Sequence, residues 1–254
     1  SALGGVTDTI KTLAESAAAG KDIDVTFDSL VTRHTECAEE LSIKNENNIR
    51  RILDEYFTQL KSDLLFVAKE KHLSSQLLDK VLSYGELLST TIVADYLSQF
   101  GINAEMLDAR KVILTDNYFG HAFVQYQESY NRIRSYCKDR NHIQVITGFI
   151  GTTETGETTT LGRSGSDYTA AIFGASLNAE IIEIWTDVSG ILSADPKIIN
   201  EAEVVPSLTY EEAMELAHAG AKVIFPPSMI PALYKNIPIV IKNTFEPDHP
   251  GTTI

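Results

Sequence analysis

After residue 142 the sequence alternates between strand-like and helix-like segments, and this pattern restricts the choice of folds more than any other. The strand-like runs are rich in β-branched residues, and the runs between them have apolar residues at helical spacing. Such alternation with short turns is typical of a parallel sheet covered by helices on both faces. The sequence therefore predicts an α/β fold, a three-layer sandwich with a largely parallel central sheet. The predicted elements are strands at 143–147, 180–185 and 237–241, a hairpin or mobile flap at 152–160, and helices at 166–177, 210–219 and 228–236.

The first hundred residues have a different, helical pattern. Apolar residues repeat at helical spacing over 52–67 and 77–96, and Gly101 follows as a helix-ending glycine. This change of pattern divides the single domain, residues 1–254, into a helix-rich N-terminal lobe, 1–141, and a C-terminal lobe, 142–254. The other elements predicted in the N-terminal lobe are short strands at 102–107 and 111–114 and a helix at 122–138.

The composition excludes several classes of protein. The 254 residues carry a formal net charge of −14, so the chain lacks the basic surface that non-specific binding to nucleic acid or to an anionic membrane requires. No apolar run approaches the roughly 20 residues of a membrane span and no signal peptide is visible, so we expect a cytoplasmic protein. Cys37, Cys137 and the histidines show no metal-ligand spacing, so no metal-ligating residues are predicted.

One arginine stands alone in an acidic part of the sequence. Arg163 is the only lysine or arginine between Arg140 and Lys197, and it lies in a small-residue loop before a predicted helix. Its planar guanidinium can bind a carboxylate or a phosphate through two parallel hydrogen bonds. Ser166 is the predicted N-cap and Asp167 lies in the first turn of that helix, whose N-terminus itself favours an anion. The segment predicts an anion-binding loop, with an ordinary capped helix as the alternative.

Four motifs occur in a fixed order along the chain. They are a small-residue loop at 1–8, Gly-Glu-Leu within 83–89, Leu-Gly-Arg-Ser-Gly-Ser-Asp at 161–167 and Trp-Thr-Asp-Val within 184–197. Together with segments 220–224 and 250–254, they resemble the aspartate kinases of the amino-acid kinase family over essentially the whole chain. The resemblance implies the amino-acid kinase (carbamate kinase-like) fold. It also implies transfer of the ATP γ-phosphoryl group to the β-carboxylate of L-aspartate, the first step towards lysine, threonine and methionine.

The resemblance implies a set of residues around the amino-acid substrate. Arg163 would bind the α-carboxylate, and Glu86 and Asp167 would bind the ammonium group; Arg163 and Asp167 are the implied catalytic residues. The other implied substrate-binding residues are Ser1, Thr7, Phe149 and Ser166. Two residues have plain structural alternatives, because Glu86 is equally typical of a helix surface and Thr7 of a helix N-cap.

The resemblance also implies a nucleotide-binding site, which would lie mainly in the C-terminal lobe. The amino-acid substrate would bind mainly to the N-terminal lobe. ATP would bind with Mg²⁺. Lysines and Mg²⁺ compensate the charge that shifts during phosphoryl transfer, and no general base is needed because a carboxylate is already a nucleophile. The alternative for Lys197 and Lys222 is a position on the protein surface, where a lysine serves solubility. The implied nucleotide-binding residues are Thr186, Asp187, Leu192, Lys197, Lys222 and Val223.

The chain departs from the family's pattern in several places. Leu192, Lys197 and Phe225 stand where members often have an aromatic residue, an arginine and a histidine. The family's first strand, Lys-Phe-Gly-Gly-Thr-Ser, is expected upstream of Ser1, and its lysine holds the transferring phosphoryl group. A regulatory region is expected after Ile254. We therefore expect the catalytic region of a longer, homodimeric or larger protein. The absence of that strand is expected to damage catalysis in this chain.

Two alternatives for the function stay open at this point. One is a kinase for another small carboxylate, such as glutamate. The other is a truncated, non-catalytic amino-acid-binding module. Within the family, the segment 241–245 most resembles the kinase part of bifunctional aspartate kinase–homoserine dehydrogenases.

Overall fold

The structure divides into two units. The computed structural model describes residues 1–41, 46–195, 198–218 and 225–254. The units are Ser1–Gly162 and Arg163–Ile254. They divide later than the lobe boundary predicted after residue 141, because the strands between residues 143 and 160 pair and pack within the first unit. The separate roles of the two lobes in binding stay predictions.

The first unit begins with four helices, which confirms the helical pattern of its sequence. They are α1 (Val6–Ala18), α2 (Asp24–Leu41), α3 (Glu46–Glu70) and α4 (Ser75–Gln99). These helices share one apolar core. Burying each large aliphatic side chain contributes roughly 1.5–3 kcal/mol, so packing rather than helix propensity holds the four together. The fully buried members of this core include Ile10, Leu13, Leu53, Leu60, Leu64, Leu87 and Leu88.

The central helix of this unit, α4, is buried without interruption over residues 81–92. The side chain of Ser74 caps its first turn. At its other end Gly101 has a φ of 77°, and the amide of Ile102 donates to the carbonyl oxygen of Leu97. This is the Schellman arrangement, so the predicted helix-ending role of Gly101 is confirmed.

Short strands and one further helix complete the first unit. β1 (Ala104–Leu107) pairs in parallel with β2 (Ile143–Ile146), and β3 (Ile150–Thr152) forms an antiparallel hairpin with β4 (Thr158–Thr160). The helix α5 spans Tyr126–Cys137. The predictions of two strands, a hairpin and a helix in these places are confirmed.

The strand predicted at 111–114 is wrong. Ala109–Lys111 forms a 3₁₀ turn, and Leu114 takes part only in an isolated bridge to Thr152. The cause is local: a side-chain oxygen of Asp108 accepts the amide of Arg110 at 3.0 Å. A side chain that satisfies the backbone in this way favours a turn over a strand.

The second unit contains the predicted strand–helix alternation. Its elements are α6 (Gly165–Leu177), β5 (Ile182–Thr186), α7 (Tyr210–His218), α8 (Pro226–Leu233), β6 (Ile239–Asn243) and β7 (Thr252–Thr253). β5 and β6 are parallel, and the two-residue β7, which the sequence does not predict, pairs antiparallel to β6. The α/β fold class is confirmed, with a mixed strand arrangement. Among the helices of the described residues, none has the length and apolar character needed to cross a membrane.

A buried histidine lies in the helical core of the first unit. His34 Nδ1 donates to the carbonyl oxygen of Leu30 at 2.8 Å, and the ring packs edge-on against Phe57 with the centroids 5.8 Å apart. Its Nε2 is buried and has no hydrogen-bond partner in the described part of the chain. Burial lowers the pKa of His34 below 6.5; the Leu30 hydrogen bond opposes this shift and the charge of Arg33 adds to it.

We expect acid to destabilise the protein partly through His34. The unfolded histidine takes up a proton near pH 6.5, whereas the folded one does so only at lower pH, so the unfolded state binds more protons in between. The stabilisation is present above pH 6.5 and is lost as the pH falls through the folded pKa. Urea unfolding of the parent and of His34→Leu at about pH 8 and about pH 5 measures this effect. Between the higher and the lower pH, the free energy of unfolding should fall less in His34→Leu than in the parent. An equal fall in both proteins would show that His34 does not cause the acid destabilisation.

Candidate active site residues

The loop before α1 lies directly on α4. A Cβ added at Gly85 would lie 3.0 Å from the Cβ of Ala2, so this glycine permits the close approach. The amide of Ala2 donates to Glu86 Oε1 at 2.9 Å, and Ser89 Oγ donates to the carbonyl oxygen of Ser1 at 2.6 Å. The structure thus brings Ser1 and Glu86 together. Sequence reasoning does not identify Ser89, although its position three residues after Glu86 on one helix face is a signal for it.

Glu86 is a buried carboxylate, with 3% of its surface exposed. The alternative of a helix-surface side chain is therefore wrong. Its Oε2 makes no hydrogen bond to the described residues. A buried carboxylate requires a compensating charge, and the open oxygen of Glu86 suits an ammonium group.

Thr7 lies in the first turn of α1 and is half-buried. The N-cap of this helix is Gly5, whose φ is 77°, and no side chain caps the turn. The N-cap alternative for Thr7 is therefore wrong. Thr7 thus belongs to the first turn of a helix, and a helix N-terminus favours polar or anionic ligand atoms.

Phe149, between β2 and β3, has an unusual backbone conformation. Its φ is 68°, in the left-handed region, which costs a residue other than glycine roughly 1–2 kcal/mol. Its carbonyl oxygen accepts the amide of Leu161 at 2.8 Å, and its side chain packs against the helical core. Residues held in such conformations cluster at functional sites, which supports the predicted role of Phe149.

Arg163, the first residue of the second unit, presents an exposed cation. Its guanidinium carbon lies 5.6 Å from the centroid of the Phe225 ring, within the range of a cation–π contact. Among the described residues it has no carboxylate partner. Its planar set of donors is therefore available for a carboxylate or a phosphate.

The start of α6 differs from the prediction. The helix begins at Gly165, and its N-cap is Ser164, which has a φ of 52° and makes no side-chain cap hydrogen bond. The prediction of Ser166 as N-cap is therefore wrong, because the left-handed Ser164 starts the helix earlier. Ser166 and Asp167 both lie in the first turn. The amide groups and dipole of this turn still favour an anion.

Asp167 lies partly buried beside apolar side chains. It lines a narrow cleft of the second unit together with Ser228 and residues of β5, β6 and α8. Burial raises the pKa of Asp167 above its ordinary value, and the Ser164 side chain offsets part of the shift. A carboxylate destabilised by burial gains from a cationic neighbour, so the position suits an ammonium group.

Two predicted nucleotide-binding residues lie at the end of β5. Thr186 Oγ1 donates to Asp187 Oδ1 at 3.2 Å, and the carbonyl oxygen of Thr186 accepts the amide of Thr244 at 2.8 Å. The carboxyl ends of β5 and β6 meet at this edge, where sheets of this kind bind ligands. Leu192 is half-buried and forms an isolated antiparallel β-bridge with Val204. The other three predicted residues, Lys197, Lys222 and Val223, lie outside the described residues.

A hydrogen-bonded group at the same edge is not identified by sequence reasoning. Ser189 Oγ donates to Glu246 Oε2 at 2.6 Å and accepts from Asn243 Nδ2 at 2.8 Å. The partners of Ser189 are 57 and 54 residues away from it in the sequence, and only the pairing of β5 with β6 brings them together.

In the described ranges, no group of three or more His, Cys, Asp or Glu side chains is arranged to hold a metal ion.

These elements and residues place the chain in a known class. It belongs to the amino acid kinase family, whose sequence profile matches residues 1–243, so the family predicted from the motifs is confirmed. The chain is similar to aspartokinases of this family. It is 38% identical over 230 residues to "Aspartokinase 1, chloroplastic" of Arabidopsis thaliana, covering 85% of this chain and 40% of that protein. It is 33% identical over 253 residues to a bifunctional aspartokinase/homoserine dehydrogenase of Haemophilus influenzae, covering 98% and 31%.

A solved structure extends the similarity to the fold. The crystal structure of E. coli aspartokinase III in complex with aspartate and ADP (R-state) matches with a TM-score of 0.92 and 31% identity. The match covers 100% of this chain and 56% of that one. The amino-acid kinase fold is thus confirmed. The chain spans less than two thirds of the length of each of these three relatives.

Proposed function

We propose that this chain is the kinase part of an aspartate kinase, which transfers the γ-phosphoryl group of ATP to the β-carboxylate of L-aspartate. The product is 4-phosphoaspartate. The observation that carries the proposal is the similarity, over the whole chain, to an aspartokinase solved with aspartate and ADP. We also propose that the whole protein forms a homodimer or a larger homo-oligomer, which light scattering would test.

The amino-acid side of the proposal assigns one chemical group to each charged residue. Arg163 binds the α-carboxylate, because its guanidinium is exposed and lacks a carboxylate partner in the described residues. Glu86 and Asp167 bind the ammonium group, because each is a carboxylate that burial leaves in need of a cation. The remaining substrate contacts are Ser1, Thr7, Phe149 and Ser166.

The nucleotide side of the proposal places ATP and Mg²⁺ at the carboxyl end of β5. Mg²⁺ in phosphoryl-transfer enzymes takes one or two carboxylates together with the phosphates, and Asp187 offers such a carboxylate. When bound, Mg²⁺ would supply charge compensation on the phosphates. The residues that would hold the nucleotide are Thr186, Asp187, Leu192, Lys197, Lys222 and Val223.

The chain's own contribution to the reaction is orientation and charge. Arg163 and Asp167 orient the amino acid so that an oxygen of the β-carboxylate faces the γ-phosphorus. The new bond joins that oxygen to phosphorus while the bond from phosphorus to the ADP oxygen breaks. No proton has to move, because the attacking carboxylate is already ionised, and positioning therefore accounts for most of the rate.

Trapping the acyl phosphate with hydroxylamine tests the proposed function. Both this chain and the chain extended upstream of Ser1 by the family's first strand are assayed with Mg·ATP. We expect hydroxamate formation that requires L-aspartate, at least in the extended chain, because that strand carries the phosphoryl-binding lysine. Turnover of glutamate but not aspartate would contradict the substrate. Aspartate binding without turnover in either protein would favour the non-catalytic alternative.

A further inference from the structure

A second buried carboxylate on α4 lies outside the proposed ligand contacts. Asp79 has an exposed fraction of 0%. Its Oδ2 accepts the amides of Gly120 and Thr160, each at 2.9 Å, and its Oδ1 accepts the hydroxyl of Thr160 at 2.8 Å. Burial raises its pKa, and these three hydrogen bonds oppose that rise. One side chain of α4 therefore holds both the end of β4 and the loop containing Gly120.

The end of β4 is held by further contacts within the first unit. The carbonyl oxygen of Thr160 accepts the amide of Ala122 at 2.9 Å, and the amide of Leu161 donates to the carbonyl oxygen of Phe149 at 2.8 Å. Both backbone groups of Thr160 are thus paired, one of them with Asp79. The strand consequently ends in a defined place on α4.

The residue that follows, Gly162, completes this anchoring. It has a φ of 76°, and a Cβ added to it would clash with Nδ1 of His121. The His121 loop, held by Asp79 through Gly120, therefore contacts the backbone immediately before Arg163. Thr160, Leu161 and Gly162, the three residues before Arg163, therefore each contact another segment of the first unit.

Asp79 shares its helix face with a proposed substrate contact. Asp79 and Glu86 are seven residues apart, which is two turns of α4, so both lie on one face about 10.5 Å apart along the axis. One face of α4 therefore carries Glu86 and also binds the end of β4 through Asp79.

We propose that Asp79 is a positioning residue for the arginine loop. By holding Thr160 and Gly120 on α4, it fixes the point from which the chain continues through Gly162 into Arg163. Asp79 touches no proposed ligand group itself. Its effect on aspartate affinity rests on the proposed function, whereas its anchoring of the loop rests only on contacts of the first unit.

Two variants of Asp79 separate positioning from simple loss of stability. Asp79→Ala leaves the amides of Gly120 and Thr160 and the buried Thr160 hydroxyl without their partner, so we expect the aspartate Kd to rise about tenfold or more while the Mg·ADP Kd changes less than about twofold. Asp79→Asn keeps the shape: its oxygen can accept both amides and its NH₂ can donate to the Thr160 hydroxyl. The asparagine variant should bind aspartate within about threefold of the parent. Equal aspartate affinity in the parent and Asp79→Ala would overturn the positioning role.

A readout independent of aspartate tests the anchoring itself. Trypsin cleaves after exposed arginines, so the rate of cleavage after Arg163 reports how often this loop opens. We expect Asp79→Ala to be cleaved there about tenfold faster than Leu30→Ala, a core variant of α2, and Asp79→Asn to resemble the parent. If Asp79→Ala is cleaved no faster than Leu30→Ala, the anchoring is wrong. If the parent binds no aspartate, the proposed function fails while the cleavage rates still decide the anchoring.

Discussion

Replacing Arg163 by alanine is expected to weaken L-aspartate binding about 100-fold. A charge-assisted hydrogen-bond pair contributes about 1.5–3 kcal/mol, and each 1.4 kcal/mol is a factor of ten in Kd. The side chain is exposed, so the free energy of unfolding should change by less than about 0.5 kcal/mol. Calorimetric titration with L-aspartate measures the affinity, and urea unfolding checks the stability.

β-Alanine provides the matched control for Arg163, because it is aspartate without its α-carboxylate. The parent and Arg163→Ala should bind β-alanine with similar affinity, since this ligand lacks the α-carboxylate that we propose the arginine binds. Arg163→Lys should recover only part of the aspartate affinity, because an ammonium group cannot form the two parallel hydrogen bonds. Unchanged aspartate affinity in Arg163→Ala would show that the α-carboxylate is bound elsewhere.

Replacing Glu86 by glutamine is expected to weaken L-aspartate binding about 30-fold. Glutamine keeps the size of the side chain and can still accept the amide of Ala2 through Oε1, but it removes the buried negative charge. A hydrogen-bonded charge pair at a buried position contributes about 1.5–3 kcal/mol, so most of the effect should come from the lost attraction to the ammonium group. Calorimetric titration of both proteins with aspartate measures this loss.

Succinate, which is aspartate without its ammonium group, is the matched ligand for Glu86. Glu86→Gln should bind succinate at least as tightly as the parent does, because the removed charge only repels a dianion. The two ligands thus separate a specific ammonium contact from general damage to the loop before α1. If aspartate and succinate lose affinity by the same factor, Glu86 holds the loop and does not bind the ammonium group.

Helical periodicity accounts for most of the fold that could be predicted. Each helix of the first unit is marked by apolar residues three or four positions apart, a local property that needs no knowledge of distant segments. The errors also have local causes. The side chain of Asp108 favours a turn where a strand is predicted, and the left-handed backbone of Ser164 starts α6 before the expected Ser166. Neither a capping geometry nor a positive φ is visible in residue types alone.

The sequence by itself determines the order of the motifs, the type of each major element and the residue types of the proposed substrate contacts. The environments of Asp79 and Glu86 on α4 depend on tertiary structure. Glu86 accepts an amide 84 residues away, and Asp79 accepts groups that are 41 and 81 residues away. A carboxylate becomes an ammonium site or a structural anchor through the desolvation and partners that such distant segments impose. Those are long-range physical effects, and no local pattern around Asp79 or Glu86 encodes them.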